Sequence, residues 1–419
     1  MTEETFDVAM IGLGYIGLPT AAVIARSGLK VRGVDVTPHV VETINAGDVH
    51  IEEKDLDALV KNVVDQGLLS ASLEAPVADT YLIAVPTPFK DDHQPDIAYV
   101  LSALEMIAPR LTKGSCVILE STSPIGTTRK LAERLAQLRP DLAVPTQCDE
   151  ESGGEPDIAI AYCPERVLPG KIIEELVAND RVIGGLTPAC SQRAADFYRR
   201  FVDGDCLPTQ AGAAEMVKLA ENSFRDVNIA FANELSLIAE QMDIDVWEVI
   251  RLANRHPRVQ ILQPGPGVGG HCIAVDPWFL VAGSPDHARL IRTAREVNDG
   301  KAVHVAGRLK AMLDASPEAK LALLGLAFKP NIDDFRESPA LQIAEQLADY
   351  GERLLVVEPF TDELPGKLRG SGAQLVSFDD AMRQAELIGV LVDHDAFKNT
   401  PPQMHSGKIV YDTRGMWAA

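Results

Sequence analysis

The feature that most constrains the fold is a glycine-rich turn set between two apolar segments. Gly12-Leu13-Gly14-Tyr15-Ile16-Gly17 follows the run Phe6–Ile11 and opens onto Pro19–Ser27. A G-x-G-x-x-G sequence alone is weak, because glycine-rich turns are common. An apolar strand before it and a helix after it are what a phosphate-cradling turn requires. The glycines permit the tight turn and the close approach of a pyrophosphate, and the helix N-terminus supplies N–H groups and partial positive charge. Asp35 ends the next apolar stretch, Lys30–Val34. A carboxylate there accepts hydrogen bonds from the ribose hydroxyls of NAD and repels the extra phosphate of NADP. The plainer alternative is a strand–turn–helix with a surface aspartate. The expected cofactor is NAD, held by Gly12, Gly14, Tyr15, Ile16, Gly17 and Asp35.

The same region has a competing reading. No residue from Val8 to Ala25 carries a charge, a stretch near the length of a membrane span. Its glycines, Pro19 and the acidic residues ahead of it oppose a membrane or signal segment. Composition points the same way: Lys and Arg total 39 against 61 Asp and Glu, a net charge of -22. So acidic a chain is a poor non-specific partner for nucleic acid or anionic membrane, though a local cation cluster can still hold an anionic ligand. The six cysteines form no C-x-x-C pair, which suits a reducing, cytoplasmic compartment. No metal-ligand spacing stands out.

With 419 residues, 46% of them hydrophobic, the chain has material for two or three domains. In the N-terminal third, Phe6–Ile11, Lys30–Val34, Thr80–Val85 and Cys116–Glu120 read as strands. Pro19–Ser27, Ala98–Arg110 and Thr127–Leu138 read as helices, so the alternation predicts a parallel sheet covered by helices. Cys148–Gly154 reads as a loop. From Gly212 to Met242 apolar residues recur at helical spacing without Pro or further Gly, predicting a spine helix of about 45 Å. Asp245–Ala253 reads as a short helix, ended by Pro257 and the Pro264–Gly270 run. The α/β pattern then restarts, with strands at Lys320–Ala327, Arg353–Val357, Leu387–Val392 and Lys408–Tyr411 and a helix at Pro339–Tyr350. The expected architecture is α/β: two Rossmann-like, doubly wound parallel-sheet lobes joined by a long central helix and a helical domain. The expected divisions are 1–210, 211–316 and 317–419.

Several residues are candidates for chemistry. Thr87 and Thr122 follow strands in the N-terminal lobe, where loops face the ligand crevice; ordinary turn chemistry explains them equally well. Cys272 ends the loop Gly267-Val268-Gly269-Gly270-His271, with Asp276 shortly after. A thiolate can capture an aldehyde and pass through a thioester, and a carboxylate can help deprotonate water. A buried cysteine as apolar filler is the alternative. Lys218 and Asn222 share a helix face and can stabilise an oxyanion, or simply face solvent. Glu165 is a loop carboxylate, either a general base or an exposed acid.

These segments together resemble the UDP-glucose/GDP-mannose dehydrogenase family over essentially the full chain. The matching stretches are GLGYIGLP (12–19), ESTSPIGTT (120–128), CPERVLPG (163–170), EMVKLAENSFR (215–225), GVGGHCIAVDP (267–277), GLAFKPNIDDFRES (325–338) and YDTRG (411–415). Its PERVLPG and GGHC forms look like the amino-sugar branch.

The resemblance implies a four-electron oxidation of the C6 alcohol of a UDP-N-acetylhexosamine to the uronate, for surface polysaccharide precursors. UDP-N-acetyl-D-mannosamine is the expected sugar, with UDP-GlcNAc or UDP-glucose as alternatives. The reaction passes through a thiohemiacetal and thioester on Cys272. It assigns Lys218 and Asn222 to oxyanion stabilisation, Asp276 to proton transfer and Glu165 to base or water chemistry. Lys329, Arg166, Arg258 and Arg414 fall at substrate contacts, Arg258 from a second subunit, and Arg336 at a cofactor contact. A homodimer or larger homo-oligomer is implied. A single-oxidation enzyme would leave Cys272 without a role, and a silent NAD or nucleotide sensor would leave the whole set without one.

Overall fold

The computed structural model describes residues 4–90, 93–145, 156–168 and 170–417. The loop expected at Cys148–Gly154 lies outside these. The chain divides into two compact units, Met1–Ala220 and Glu221–Ala419.

The first unit is built on eight strands: β1 (Thr5–Ile11), β2 (Val31–Val34), β3 (Leu69–Ser72), β4 (Val77–Ile83), β5 (Cys116–Leu119), β6 (Ala159–Tyr162), β7 (Arg181–Gly185) and β8 (Cys206–Gln210). They lie in the order β3-β2-β1-β4-β5-β6-β7-β8. The expected parallel sheet is present from β1 to β6, and β7 then meets β6 antiparallel. Successive residues at the end of β1 enter different cores: Val8 and Met10 pack in one, Ala9 and Ile11 in the other. Burial on both faces is why these strands read as continuous apolar runs. The strand β3, Leu-Ser-Ala-Ser, has no such run and was not anticipated.

The first helix spans Gly17–Arg26. It starts inside the glycine motif, earlier than Pro19, because proline in a first turn sacrifices no intrahelical hydrogen bond. The uncharged stretch Val8–Ala25 is therefore strand, turn and helix. Among the described residues no helix is long and apolar enough to cross a membrane.

The second unit carries β9 (Leu321–Leu324), β10 (Leu354–Val357), β11 (Gln374–Leu375), β12 (Leu387–Val390) and β13 (Ile409–Asp412). These are parallel throughout, in the order β11-β10-β9-β12-β13. The predicted long helix is Ala211–Gln241, 31 residues, beginning in the first unit and continuing into the second. A second long helix, Arg289–Ala315, was not anticipated. The helix expected at Pro339–Tyr350 runs Pro339–Gln346 and tightens into a 3-10 segment, Ala348–Arg353.

Candidate active site

In the first unit the strand order reverses between β1 and β4, the place where open α/β sheets bind ligands. The Gly12 N–H donates to the Val34 carbonyl at 2.8 Å, and Gly12 has φ +93°. A Cβ on Gly12 would lie 2.4 Å from the Ala84 carbonyl oxygen, and one on Gly17 would lie 1.9 Å from that of Gly12. Those glycines are demanded by the turn itself. Gly14 differs: no heavy atom lies within 4 Å of its Cβ position, so bare backbone faces open space, with Tyr15 exposed beside it. The half-buried Asp35 is fixed at the rim, Oδ2 accepting from the Leu13 N–H at 3.1 Å and Oδ1 from the Thr37 N–H at 2.9 Å. An open cradle with an anchored acid fits NAD. Thr87 and Thr122 meet directly, the Thr87 hydroxyl donating to the Thr122 carbonyl at 2.7 Å. Ser121, not singled out from the sequence, donates to the Val85 carbonyl at 2.7 Å and accepts from its N–H at 2.9 Å, tying the two loops together.

The unit also holds a buried ionic cluster. Glu165 is buried, not exposed, and its carboxylate accepts from the buried Arg181 guanidinium. Lys218 is buried too, which removes the solvated-face alternative, and its Nζ donates to the Glu165 carbonyl at 2.7 Å. Arg181 lies over the Tyr198 ring at 5.3 Å, and the Tyr198 hydroxyl donates to Glu120 at 2.7 Å. Burial, helped by the nearby Glu165 charge, pushes the Glu120 carboxyl up to about 8. Burial also pushes the Cys116 and Cys163 thiols up to about 12, which leaves them unreactive. Arg166 is half-buried, its guanidinium reaching the Asp180 carbonyl at 3.3 Å.

In the second unit, Cys272 is partly exposed. Its carbonyl accepts from the N–H groups of Val275 at 3.1 Å and Asp276 at 2.8 Å, which ties the thiol loop to the start of the helix Asp276–Gly283. Asp276 is buried and accepts from the Asn222 amide at 2.5 Å. The loop glycines answer to the protein's own packing: added Cβ atoms would lie 2.9 Å from Pro339 at Gly267, 2.5 Å from the Glu337 carbonyl at Gly269 and 2.8 Å from the Phe328 ring at Gly270. A buried relay anchors the other end of the loop. The Gly265 N–H donates to Asn233 at 2.9 Å, Asn233 to Asn298 at 2.9 Å, and Asn298 to Asp226 at 2.8 Å, with Arg295 on the same Asp226 oxygen at 2.7 Å.

Apart from Arg166, the cations expected to meet substrate or cofactor lie on separate loops of this unit. Arg258 and Lys329 are exposed. Arg336 pairs with Asp334 at 2.6 Å, and its carbonyl accepts from the Gly270 N–H at 3.2 Å. Arg414 pairs with Asp393 at 2.8 Å. Sequence reasoning missed Arg181, Glu120, Asp226 and Asn233. A signal existed for two of them: Lys218, Asn222, Asp226 and Asn233 fall at helical spacing on one face, a polar stripe inside an otherwise apolar pattern.

The dinucleotide cradle at the switch point of the first sheet is that of an NAD-dependent oxidoreductase. The chain belongs to the UDP-glucose/GDP-mannose dehydrogenase family: its NAD binding domain matches residues 6–202, its central domain 212–300 and its UDP binding domain 322–419. The chain is 56% identical, over 98% of its length and 99% of the relative, to UDP-N-acetyl-D-mannosamine dehydrogenase of Escherichia coli (strain K12). It is 53% identical, over 98% and 96%, to NDP-N-acetyl-D-galactosaminuronic acid dehydrogenase of Ralstonia nicotianae. The structure of a UDP-D-ManNAc dehydrogenase from Pyrococcus horikoshii matches with TM-score 0.85 at 37% identity, covering 99% of this chain and 96% of that one.

Proposed function

We propose that this enzyme oxidises the C6 alcohol of UDP-N-acetyl-D-mannosamine to the carboxylate, consuming two NAD and one water per sugar. The observation carrying this reading is the thiol loop, where Cys272 is partly exposed and a buried Asp276 is held by Asn222. A single alcohol oxidation has no use for that thiol. Bound NAD would supply the hydride acceptor for each of the two oxidations, one NAD per oxidation. Gly12, Gly14, Tyr15, Ile16, Gly17, Asp35, Thr87 and Thr122 would hold it, with Arg336 as a further contact.

The Cys272 sulfur adds to the aldehyde carbon to give a thiohemiacetal; loss of its hydride and hydroxyl proton leaves a thioester, which water cleaves to the carboxylate, freeing the thiol. Lys218 and Asn222 stabilise oxygen as it gains negative charge. Asp276 and Glu165 move protons from the alcohol and the hydrolytic water. Arg166, Arg258, Lys329 and Arg414 bind the UDP-sugar; guanidinium forks suit a diphosphate.

Residues 1–210 serve as the NAD-binding part, 211–316 as the central helical part and 317–419 as the UDP-sugar-binding part. The working unit is at least a homodimer, supported by the exposed Phe224, Phe231 and Ile238 along one face of the long helix. The setting is the cytoplasm, where UDP-sugars for surface polysaccharide are made. The Ralstonia relative favours a second reading in which an N-acetylgalactosamine nucleotide is the substrate. NADH formation with UDP-linked ManNAc, GalNAc, GlcNAc and glucose side by side tests both. The highest kcat/KM with UDP-ManNAc and two NADH per sugar are expected; a preference for another sugar overturns the assignment.

A further inference from the structure

Two buried titratable groups in the second unit have no part in this mechanism. Glu358 follows β10, and His394 follows β12; both side chains are fully buried. Glu358 Oε2 accepts from the N–H groups of Leu326 at 2.7 Å and Ala327 at 3.1 Å. Its Oε1 accepts from the Phe360 N–H at 3.2 Å. The His394 Nδ1 accepts from the Asn331 N–H at 3.0 Å, which leaves Nε2 as the ring nitrogen that carries hydrogen. That Nε2 lies 3.3 Å from Glu358 Oε2, attracted electrostatically but outside hydrogen-bond alignment. The ring is wedged between Phe360 at 5.3 Å and Phe397 at 5.4 Å.

Three of these partners, the N–H groups of Leu326, Ala327 and Asn331, lie in one segment. Leu326 and Ala327 precede Lys329, and Asn331 follows it. Asn331 takes φ +63°, a left-handed conformation that needs outside support. Its side chain is held by Asp395, donating to the carboxylate at 2.8 Å and accepting from the Asp395 N–H at 3.0 Å. Phe328, inside the same segment, packs on Gly270 of the thiol loop. Burying a carboxylate and an imidazole is unfavourable unless their hydrogen bonds are made, and here three of those bonds fix the backbone on the two sides of Lys329.

We propose that Glu358 and His394 are positioning residues for nucleotide-sugar binding, clamping the 326–331 segment so that Lys329 is held ready for the UDP-sugar. This rests on the reading of Lys329 as a substrate contact. An asparagine at 394 can place Oδ1 where the histidine has Nδ1, while a leucine fills the space without an acceptor.

The test is calorimetric binding of UDP-N-acetyl-D-mannosamine to the full chain without NAD, with hydrogen exchange of residues 326–331 alongside. His394→Leu should weaken binding about tenfold, the effect of one lost buried hydrogen bond, and speed exchange in the segment. In turnover, KM for the sugar should rise far more than kcat falls, with NAD affinity unaffected. His394→Asn should restore sugar affinity and slow exchange, even if its smaller side chain lowers Tm. Lys329→Ala is the control. If it weakens sugar binding while His394→Leu does not, the clamp is wrong and the reading of Lys329 stands. If Lys329→Ala binds normally, the reading of Lys329 fails and the clamp's purpose falls with it. A His394→Asn variant as weak as His394→Leu also overturns the proposal.

Discussion

The two sheets share a plan and diverge where a ligand would sit. Each places its first strand beside its fourth, β3-β2-β1-β4-β5 in one and β11-β10-β9-β12-β13 in the other. Each first strand ends in a left-handed glycine, Gly12 at φ +93° and Gly325 at +88°. Each glycine N–H donates at 2.8 Å to the end of the next strand, to Val34 and Val357. An acid follows that strand and accepts from the glycine turn, Asp35 from Leu13 and Glu358 from Leu326. In the first unit a helix starts at Gly17 and Gly14 faces open space. In the second the next helix waits until Pro339, and Glu358 is sealed beneath the loop beside His394. The glycine turn and acid are therefore a folding device first. They become a dinucleotide site only when a helix N-terminus follows at once and the acid keeps an open side.

The largest effect should come from what the second unit has and the first lacks. Cys272→Ser should lose about 10³-fold or more of net turnover while still binding NAD and UDP-sugar. A serine hydroxyl near neutral pH is a poor nucleophile for the aldehyde. Two NADH per sugar at a near-normal rate would remove the covalent mechanism.

Next is a residue of the first unit. Lys218→Ala should lower kcat by roughly 10²–10³-fold, the usual loss for one oxyanion donor. A drop confined to KM would mean that Lys218 only braces the Glu165 carbonyl.

The acids themselves provide the direct comparison. Asp35→Ala should raise KM for NAD by about tenfold or more, whereas Glu358→Gln should leave NAD affinity alone and weaken the UDP-sugar. If both changes weaken NAD, the distinction between an open and a sealed acid is wrong.

The remaining effect is on stability, not on activity. Glu120 holds its proton up to about pH 8 in the folded chain, against a usual carboxyl value of 4.5. Between those values the folded chain binds a proton that the unfolded chain has released. Stability relative to Glu120→Gln should therefore fall as pH rises, by up to about 1.4 kcal/mol per unit, and level off above pH 8. Denaturant unfolding of both proteins from pH 6 to 9 measures the difference, and parallel curves would mean that Glu120 is ionised throughout.

Much of this molecule was legible in the chain. The long helix was foreseen within a residue at each end, because thirty residues of helical periodicity without a breaker leave little choice. The glycine turn announced itself because close contacts at Gly12 and Gly17 exclude any side chain. The short polar strand β3 left no such trace, since its pairing with β2 supplies what its own residues do not.

The sequence by itself determined the backbone events: where the chain turns, where helices start, and which residue types carry reactive groups. These depend on steric limits acting over a few neighbouring residues. Only the tertiary structure decided which polar groups are buried together. Glu165 meets Arg181, Asn222 meets Asp276, and Glu358 and His394 close on the two flanks of Lys329. Such pairings join residues distant in the chain, and burial, which makes an unpaired charge or amide so unfavourable, exists only once the sheets and helices have packed.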